Sequence, residues 1–223
     1  MAANTTPRPP VLPAQLTLLQ GSEAALQIYQ AAAREDPLEQ LQLKNADLCG
    51  EVLQHAVFRG CVLENCRFAS ADLTRAAFTD CVLKNCDFSG AKLPESYFCR
   101  CTLTGCKALG ANFAESRLFD TVIQNGMLRY ACFDQSKWER TAVRGSCFAE
   151  AMFNHTRLLH WAVQDTDFSG ASFAATPLKG LDLRGCRLDG AGFGEEHRSL
   201  RGAVVDWAQA AELARLLGIV IKD

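Results

Sequence analysis

The chain has little of what usually announces a function. Among its 223 residues no run of 18 is apolar, which excludes a transmembrane helix. Its first 20 residues hold no basic start leading into a continuous apolar core, so no signal peptide is expected. Neither sign of charge dominates. The formal net charge is −2, which argues against bulk or direct nucleic-acid binding. A serine elbow, a glycine-rich phosphate loop and a paired-carboxylate motif are all missing. What remains is a sequence whose information lies in its period.

Every fifth residue from Leu43 to Phe193 is apolar, 31 positions in succession, and only Ala108 among them is small. Two residues before each stands Ala, Cys, Ser, Thr or Gly at 27 of the 31 places, with Leu41, Glu51, Trp161 and Leu181 as the exceptions. A period of five fits neither a helix nor a strand, and it marks a repeat architecture. Columns taken 20 residues apart sort further. Leu43, Leu63, Leu83, Leu103, Ile123, Val143, Val163 and Leu183 are all aliphatic, whereas Ala71, Ala91, Ala111, Ala131, Ala151, Ala171 and Ala191 are all alanine. Such sorting requires residue n to stack on residue n+20. The expected fold is therefore an all-β, four-sided solenoid with each large residue on the axis and each small one at an inner corner. At about 4.8 Å per coil, nearly eight coils make a rod roughly 37 Å long.

This register accounts for residues that would otherwise suggest chemistry. Of the eleven cysteines, Cys61, Cys66, Cys81, Cys86, Cys101, Cys106 and Cys186 fall on the small inward ladder, where Cys acts as a small hydrophobe. Their spacing is never the two-residue gap of a zinc knuckle. Reduced thiols point to the cytoplasm. Cys49 and Cys99 lie on outward positions and are the expected reactive thiols. His55, His155 and His160 take outward corners, His197 lies in the exit loop, and none has a ligand partner on its face. Most glycines occupy corners. A tube filled with side chains has no deep pocket, so the chain reads as a non-enzyme with no metal or cofactor.

The ends are distinct. Residues 1–20 form a tail, flexible or extended through Pro7–Pro13, whose Leu16, Leu18 and Leu19 can form a partial first coil. Residues 21–40 form a helical cap, with Ser22 as N-cap, an apolar stripe of Ala25, Ile28, Tyr29 and Ala32, and Pro37 as its end. The β-helix spans 41–197, its register ending at Arg198, and 198–223 form a C-terminal segment. There Asp206 and Gln209 have capping-box spacing, a helix is expected over 207–217, Gly218 stops it, and Ile219, Val220 and Ile221 form a β-like tail. That helix is either a plain cap or a cap that also forms a two-fold dimer seam through Trp207, Ala210, Leu213, Leu217 and Ile219.

The register also sorts the outer surface. One face carries Asp72, Glu95, Glu115, Asp134 and Glu195 against Arg75 and Lys92. Another carries Arg59, Arg100, Arg117, Lys137, Arg140, Arg157 and Lys179 against Asp80, Asp120 and Glu139. Of 13 phenylalanines only Phe119 leaves the central ladder. It points outward on the basic face, near Tyr97, either as a partner-binding aromatic or folded along the surface beside Arg100 and Arg140. Candidate partner-binding residues are thus Asp72, Glu95, Glu115 and Asp134 on one face, and Tyr97, Arg100, Arg117, Phe119 and Arg140 on the other.

The segments Ala71-Asp72-Leu73-Thr74-Arg75 and Asn85-Cys86-Asp87-Phe88-Ser89-Gly90-Ala91 resemble the pentapeptide-repeat superfamily, over roughly residues 41–195. That resemblance implies a right-handed quadrilateral β-helix. A narrower resemblance, to the Qnr group of topoisomerase-protecting proteins, rests on three stretches. These are Cys106-Lys107-Ala108-Leu109-Gly110-Ala111-Asn112-Phe113, Leu181-Asp182-Leu183-Arg184-Gly185, and the ending Asp206, Gln209, Ala210, Leu213, Leu216, Gly218 and Ile219. It implies an end-to-end homodimer through the C-terminal helix. It also implies a DNA-like rod that binds DNA gyrase or topoisomerase IV and protects it from quinolone-type poisons. Many Qnr proteins carry loops that interrupt the coil; here the register never breaks, so such loops are absent or have lengths that are multiples of five, and residues 41–195 hold 17 acidic and 17 basic side chains. Two alternatives follow: self-resistance to a natural-product topoisomerase poison of the albicidin type, and an interaction scaffold unrelated to topoisomerase.

Overall fold

Residue n lies one rung below residue n+20 throughout: Leu43 pairs with Leu63, Leu63 with Leu83, and Phe58 with Phe78, always in parallel. The computed structural model describes residues 5–216 and 218–221. Its body is a four-sided parallel solenoid of about seven turns with a helix at each end. One face is built from β1 (Thr17–Gln20), β3 (Leu41–Lys44), β5 (Val62–Glu64), β7 (Val82–Lys84), β9 (Thr102–Thr104) and β11 (Val122–Gln124). The adjoining face is built from β2 (Pro37–Glu39), β4 (Val57–Arg59), β6 (Ala77–Thr79), β8 (Tyr97–Cys99) and β10 (Arg117–Phe119). β12 (Lys137–Arg144) and β13 (Arg157–Gln164) run unbroken round the corner between these faces, so the sheet is continuous through β12. The other two faces are chains of turns held by single bridges, such as Asp47 to Arg67 and Val52 to Asp72. Corners are tight and left-handed. Asn45, Asn65, Asn85 and Asn125 have φ between 51° and 56°, a region Asn tolerates and Gly favours. At Gly105, φ is +64° and a Cβ would come within 2.5 Å of Asn85 Oδ1, so a side chain there would have to displace the asparagine amide below it.

The core is a set of columns. Phe58, Phe78 and Phe98 stack with centroids 4.7 and 4.8 Å apart, and Phe113, Phe133 and Phe153 at 4.9 and 5.1 Å. Ring spacing thus follows the rung spacing of the backbone. The ladder starts one repeat earlier than the sequence suggested, because Leu38 on β2 is already buried. The small ladder has a second property. Cys61, Cys81 and Cys101 thiols donate to the carbonyls of Leu38, Phe58 and Phe78, each 23 residues back, as the Thr156 hydroxyl does to Phe133. Cys, Ser and Thr therefore exchange here because each is small and carries one short donor. The eleven cysteines are all free.

The Pro-rich tail is ordered along the rod, running across the corners of the strand-built faces. Arg8 donates from its backbone N–H, Nε and Nη2 to the Asp120 carboxylate at 3.2, 2.9 and 2.6 Å. Val11 N–H donates to Asp80 Oδ1 at 2.9 Å, and a Cβ on Gly60 would lie 3.1 Å from Pro13 Cδ. The geometry matches its composition: three residues at a polyproline rise of about 3.1 Å span about 9 Å, close to two rungs of about 4.8 Å. β1 then pairs with β3 and forms the partial first coil.

The helix α1 (Gly21–Arg34) caps the first coil, with three corrections to the expectation. Its N-cap is Gln20, without a side-chain cap bond, and Ser22 lies inside the helix. The buried stripe is Ala24, Ile28, Ala31 and Ala32, so Ala25 lies at its edge and Tyr29 is half exposed. Pro37 begins β2 instead of merely ending the helix; Glu35 does that in a left-handed conformation, its N–H and that of Asp36 returning to Ala32 and Ala31.

At the other end the coil outlives its register. A 3-10 helix, Glu195–Leu200, interrupts the period, yet Leu178, Gly180 and Leu183 N–H groups donate to Ser199, Gly202 and Val204 carbonyls. The helix α2 (Trp207–Leu216) then packs on this partial coil. Its capping box is formed: Gln209 N–H donates to Asp206 Oδ1 at 3.0 Å, and Asp206 N–H to Gln209 Oε1 at 2.9 Å. Gln209 Nε2 also donates to Leu183 and Cys186 carbonyls, both at 2.7 Å, tying the helix to the last coil. Gly218 ends the helix with φ +76°, its N–H reaching Arg215 and that of Ile219 reaching Ala214. Ile219, Val220 and Ile221 are exposed and not strand-like, correcting the expected β-like tail.

Burial pushes the Asp120 carboxyl up, but hydrogen bonds from Arg140 and Arg8 outweigh it and hold the group at about 2. A depressed carboxylate contributes fully above its usual pKa of 3.8 and loses that contribution as pH falls towards about 2. Pepsin cleavage within residues 5–16 should therefore accelerate across that interval, and Arg8→Ala should cost about 1 kcal/mol in urea unfolding at neutral pH. Gln209→Leu strands two buried carbonyls and opens the capping box; a loss of about 2 kcal/mol is expected, with faster amide exchange in α2.

Candidate interaction surfaces

The basic face is less cationic than its composition. Arg100 is engaged by Asp80 through Nε and Nη2, both at 2.6 Å, and Arg140 by Asp120 at 2.8 Å and Glu139 at 2.5 Å. These successive corners, Asp80, Arg100, Asp120 and Arg140, form a ladder of alternating charge. The hydrogen bonds that Arg100 and Arg140 donate to Asp80 and Asp120 raise the two guanidinium pKa values, and the Arg100 guanidinium holds Asp80 low. Arg8 completes the ladder from the tail; no periodicity could have revealed it, since it precedes the repeats. Lys137 pairs with Glu139 at 3.1 Å. Among the described residues, Arg117, Arg157 and Lys179 are left without an ion pair.

Phe119 lies half-buried across this face. Its ring centroid is 5.8 Å from that of Tyr97, tilted by 49°, and Lys137 Nζ stands 5.0 Å from the ring centroid. The ring thus packs along the surface, with Tyr97 and Lys137 as its ring and cation–π partners. A hydrogen bond to Cys99 and burial push the Tyr97 phenol up to about 12, keeping it a neutral donor. Beside Phe119 a groove of about 480 Å³ crosses the rod edge between Glu115, Arg117, Lys137, His155 and Arg157.

The acidic residues share a face without forming one patch. Glu95 is paired with Arg75 at 2.9 Å. Asp72 accepts from Gln54 and Thr74 and stacks beside Lys92. Burial pushes the Asp72 carboxyl up, but these hydrogen bonds leave it below its usual range. Asp134 accepts the Asn154 N–H at 2.9 Å. Of the four candidates only the Glu115 carboxylate has no ionic or hydrogen-bonding partner among the described residues. Glu95 and Glu115 occupy successive corners.

The cysteine expectations are partly corrected. Cys49 is exposed, but burial of its thiol and the neighbouring Asp47 push its pKa up. Cys99 is buried, its sulfur 3.6 Å from Arg100 Nη1. The Cys49 thiol is therefore not activated. A third surface feature went unread in the sequence: Leu109, Met127 and Tyr130 are each half exposed. Tyr130 holds a corner at φ +60°, unusual for so large a residue. A tyrosine at a position that elsewhere favours Gly, Asn or Asp was the available signal.

At the C-terminal end Trp207 is 91% exposed and Ile219 is half exposed. Ala210 and Leu213 line an apolar cleft of about 400 Å³ with His197, Leu200, Val205 and Ala214. Leu217, the remaining dimer candidate, lies outside the described residues. No helix among the described residues is long and apolar enough to cross a membrane.

Comparison with known proteins agrees with this architecture. The pentapeptide repeats (8 copies) family model matches residues 42–85, and the pentapeptide repeat region model matches residues 76–147. No curated protein sequence matches the chain. Among solved structures, full-length QnrB1, described as a plasmid-mediated fluoroquinolone resistance protein, is similar at a TM-score of 0.52 and 18% identity, over 80% of this chain and 100% of that one. HetL, a pentapeptide repeat protein involved in heterocyst differentiation regulation from the cyanobacterium Nostoc sp. strain PCC 7120, is 19% identical at a TM-score of 0.41, covering 86% of this chain and 91% of that one. Repeat matches, rung pairing and the helix at each end thus converge: the chain is a pentapeptide-repeat protein, a quadrilateral β-helix similar in fold to the Qnr proteins.

Proposed function

We propose that this protein is a non-enzymatic, cytoplasmic rod that binds a type II DNA topoisomerase, gyrase or topoisomerase IV, and protects it from poisons such as fluoroquinolones. The observation that carries the reading is the fold shared along the whole length of QnrB1, a fluoroquinolone resistance protein. The chain's own surface adds support. Glu115 presents an unpaired carboxylate about 4.8 Å along the axis from Glu95, which shares its charge with Arg75. The exposed end at Trp207, with the cleft lined by Ala210 and Leu213, supports pairing of two rods through α2.

A gyrase supercoiling assay with ciprofloxacin tests this directly: micromolar protein should restore supercoiling, and Glu95→Lys with Glu115→Lys should weaken the rescue roughly tenfold. The absence of both rescue and inhibition at micromolar protein would exclude the reading. Light scattering at tens of micromolar should give twice the chain mass, and Trp207→Asp should return it to one.

One observation favours a second reading, self-resistance to a natural-product poison of the albicidin type. Between β2 and Phe193 no loop leaves the coil stack. A smooth rod reaches fewer sites beside itself than a looped one. Expression in a sensitive host should then raise tolerance to such a compound while hardly changing that to quinolones.

A further inference from the structure

The rung-to-rung bonding of the rod breaks at one place. On the strand-built faces each corner N–H is donated to the next coil, as in Asp120 to Glu139 at 3.0 Å and Gly145 to Gln164 at 3.1 Å. The series then stops. Among the described residues no backbone hydrogen bond or bridge joins β13 to residues 177–184. The other two faces continue across the same level, with Phe168 N–H to Arg187 at 2.8 Å and Phe173 N–H to Gly192 at 2.7 Å. Residues 177–184 bond onward, to Ser199, Gly202 and Val204. The last coil is therefore joined to the rod along two faces and parted from it along two, and β13 has a free trailing edge.

Three residues account for this seam. Pro177 has no N–H at a position where Lys137 and Arg157 donate to Ser116 and Ser136. Trp161 takes the inner corner that Cys61, Cys81, Cys101, Thr121 and Thr141 hold in the coils before it, and Leu181 follows it one coil on. The indole fills the tube, its centroid 5.6–6.0 Å from those of Trp138, Phe153 and Phe168. An overfilled core displaces its neighbours. Of the whole central ladder, Leu158 and Val163 are the two residues left only partly buried, and both belong to β13. The Trp161 indole N–H is buried and has no acceptor, although buried donors are almost always bonded. Around the seam the charge is positive. Arg144, Arg157, Lys179 and Arg201 have no ion pair among the described residues. Asp182 is taken by Arg184 at 2.7 Å and Glu139 by Lys137 and Arg140, while Asp165 at the far corner has no ion pair among the described residues.

We propose that the trailing edge of β13 receives an extended segment of a partner protein, one that alternates apolar and polar residues and carries acidic side chains. The segment adds as a strand, its carbonyls meeting the N–H groups that His160 and Asp165 leave unbonded and bringing acceptors within the reach of the Trp161 indole. Its apolar side chains cover Leu158 and Val163. Its carboxylates meet Arg157 and Lys179. This site is independent of the topoisomerase reading.

Hydrogen exchange on the full chain tests it, with the designed peptide Glu-Val-Thr-Val-Thr-Val-Thr-Glu as probe and its Lys-flanked counterpart as control. Without peptide, the amides of His160 and Asp165 should exchange at least about tenfold faster than those of their counterparts Asp120 and Gly145. The acidic peptide at millimolar concentration should slow them roughly tenfold, and the Lys-flanked peptide should not. Arg157→Glu with Lys179→Glu, which changes only the surface, should reverse that preference. Trp161→Thr with Leu181→Thr restores the small ladder and should abolish the effect in a chain that still folds by circular dichroism. His160 and Asp165 amides as slow as those of Asp120 and Gly145 would overturn the proposal. So would equal protection by both peptides, or by neither, which would leave the seam a hinge in the rod and not a docking edge.

Discussion

The width of the tube constrains everything else in this protein. Each side of each coil contributes one large side chain and one small one, and parallel pairing fixes the rise at about 4.8 Å. A phenylalanine ring is thinner than that rise and stacks on its equivalent one coil on, as Phe58, Phe78 and Phe98 do. Burying such a side chain is worth about 1.5–3 kcal/mol, but only if the inner corner two residues before it stays small. The small position is also polar in a limited sense. It admits one short donor, a thiol or hydroxyl, that finds a carbonyl 2 or 23 residues back. Ser96, Ser116 and Thr141, whose hydroxyls lack that partner, show that the position is chosen first for size.

Departures from this rule mark the places with individual character. Trp161 breaks the size limit, and the rung bonding fails beside it. Tyr130 breaks the corner preference and stands out of the surface. Phe119 leaves the ladder and joins Tyr97 and Lys137 on the outside. Because a regular solenoid repeats the same surface grammar at each coil, such exceptions are where one coil can be distinguished from another by a partner.

Electrostatics follows the same geometry. A spacing of 20 in sequence brings corner residues into direct contact, so Asp80, Arg100, Asp120 and Arg140 neutralise one another along the edge. The net charge read from a face therefore overstates its field. Carboxylates and guanidiniums that lack a neighbour of opposite sign one rung away, such as Glu115 and Arg117, carry what remains.

The period by itself determined the fold and the axial and inner-corner residues, through the stacking of n upon n+20, and local spacing alone gave the capping box of Asp206 and Gln209. It could not place Arg8 on Asp120, since that contact joins a tail outside the repeats to a coil 112 residues away. Nor could it turn α1 so that Ala24 and Ala31 face inward, which the shape of the first coil decides. The sequence named Trp161 and Leu181 as exceptions among the small residues. Only the tertiary structure converted them into a seam, because the volume of an indole acts on its neighbours in the adjacent coil, 20 residues away, and not on its own.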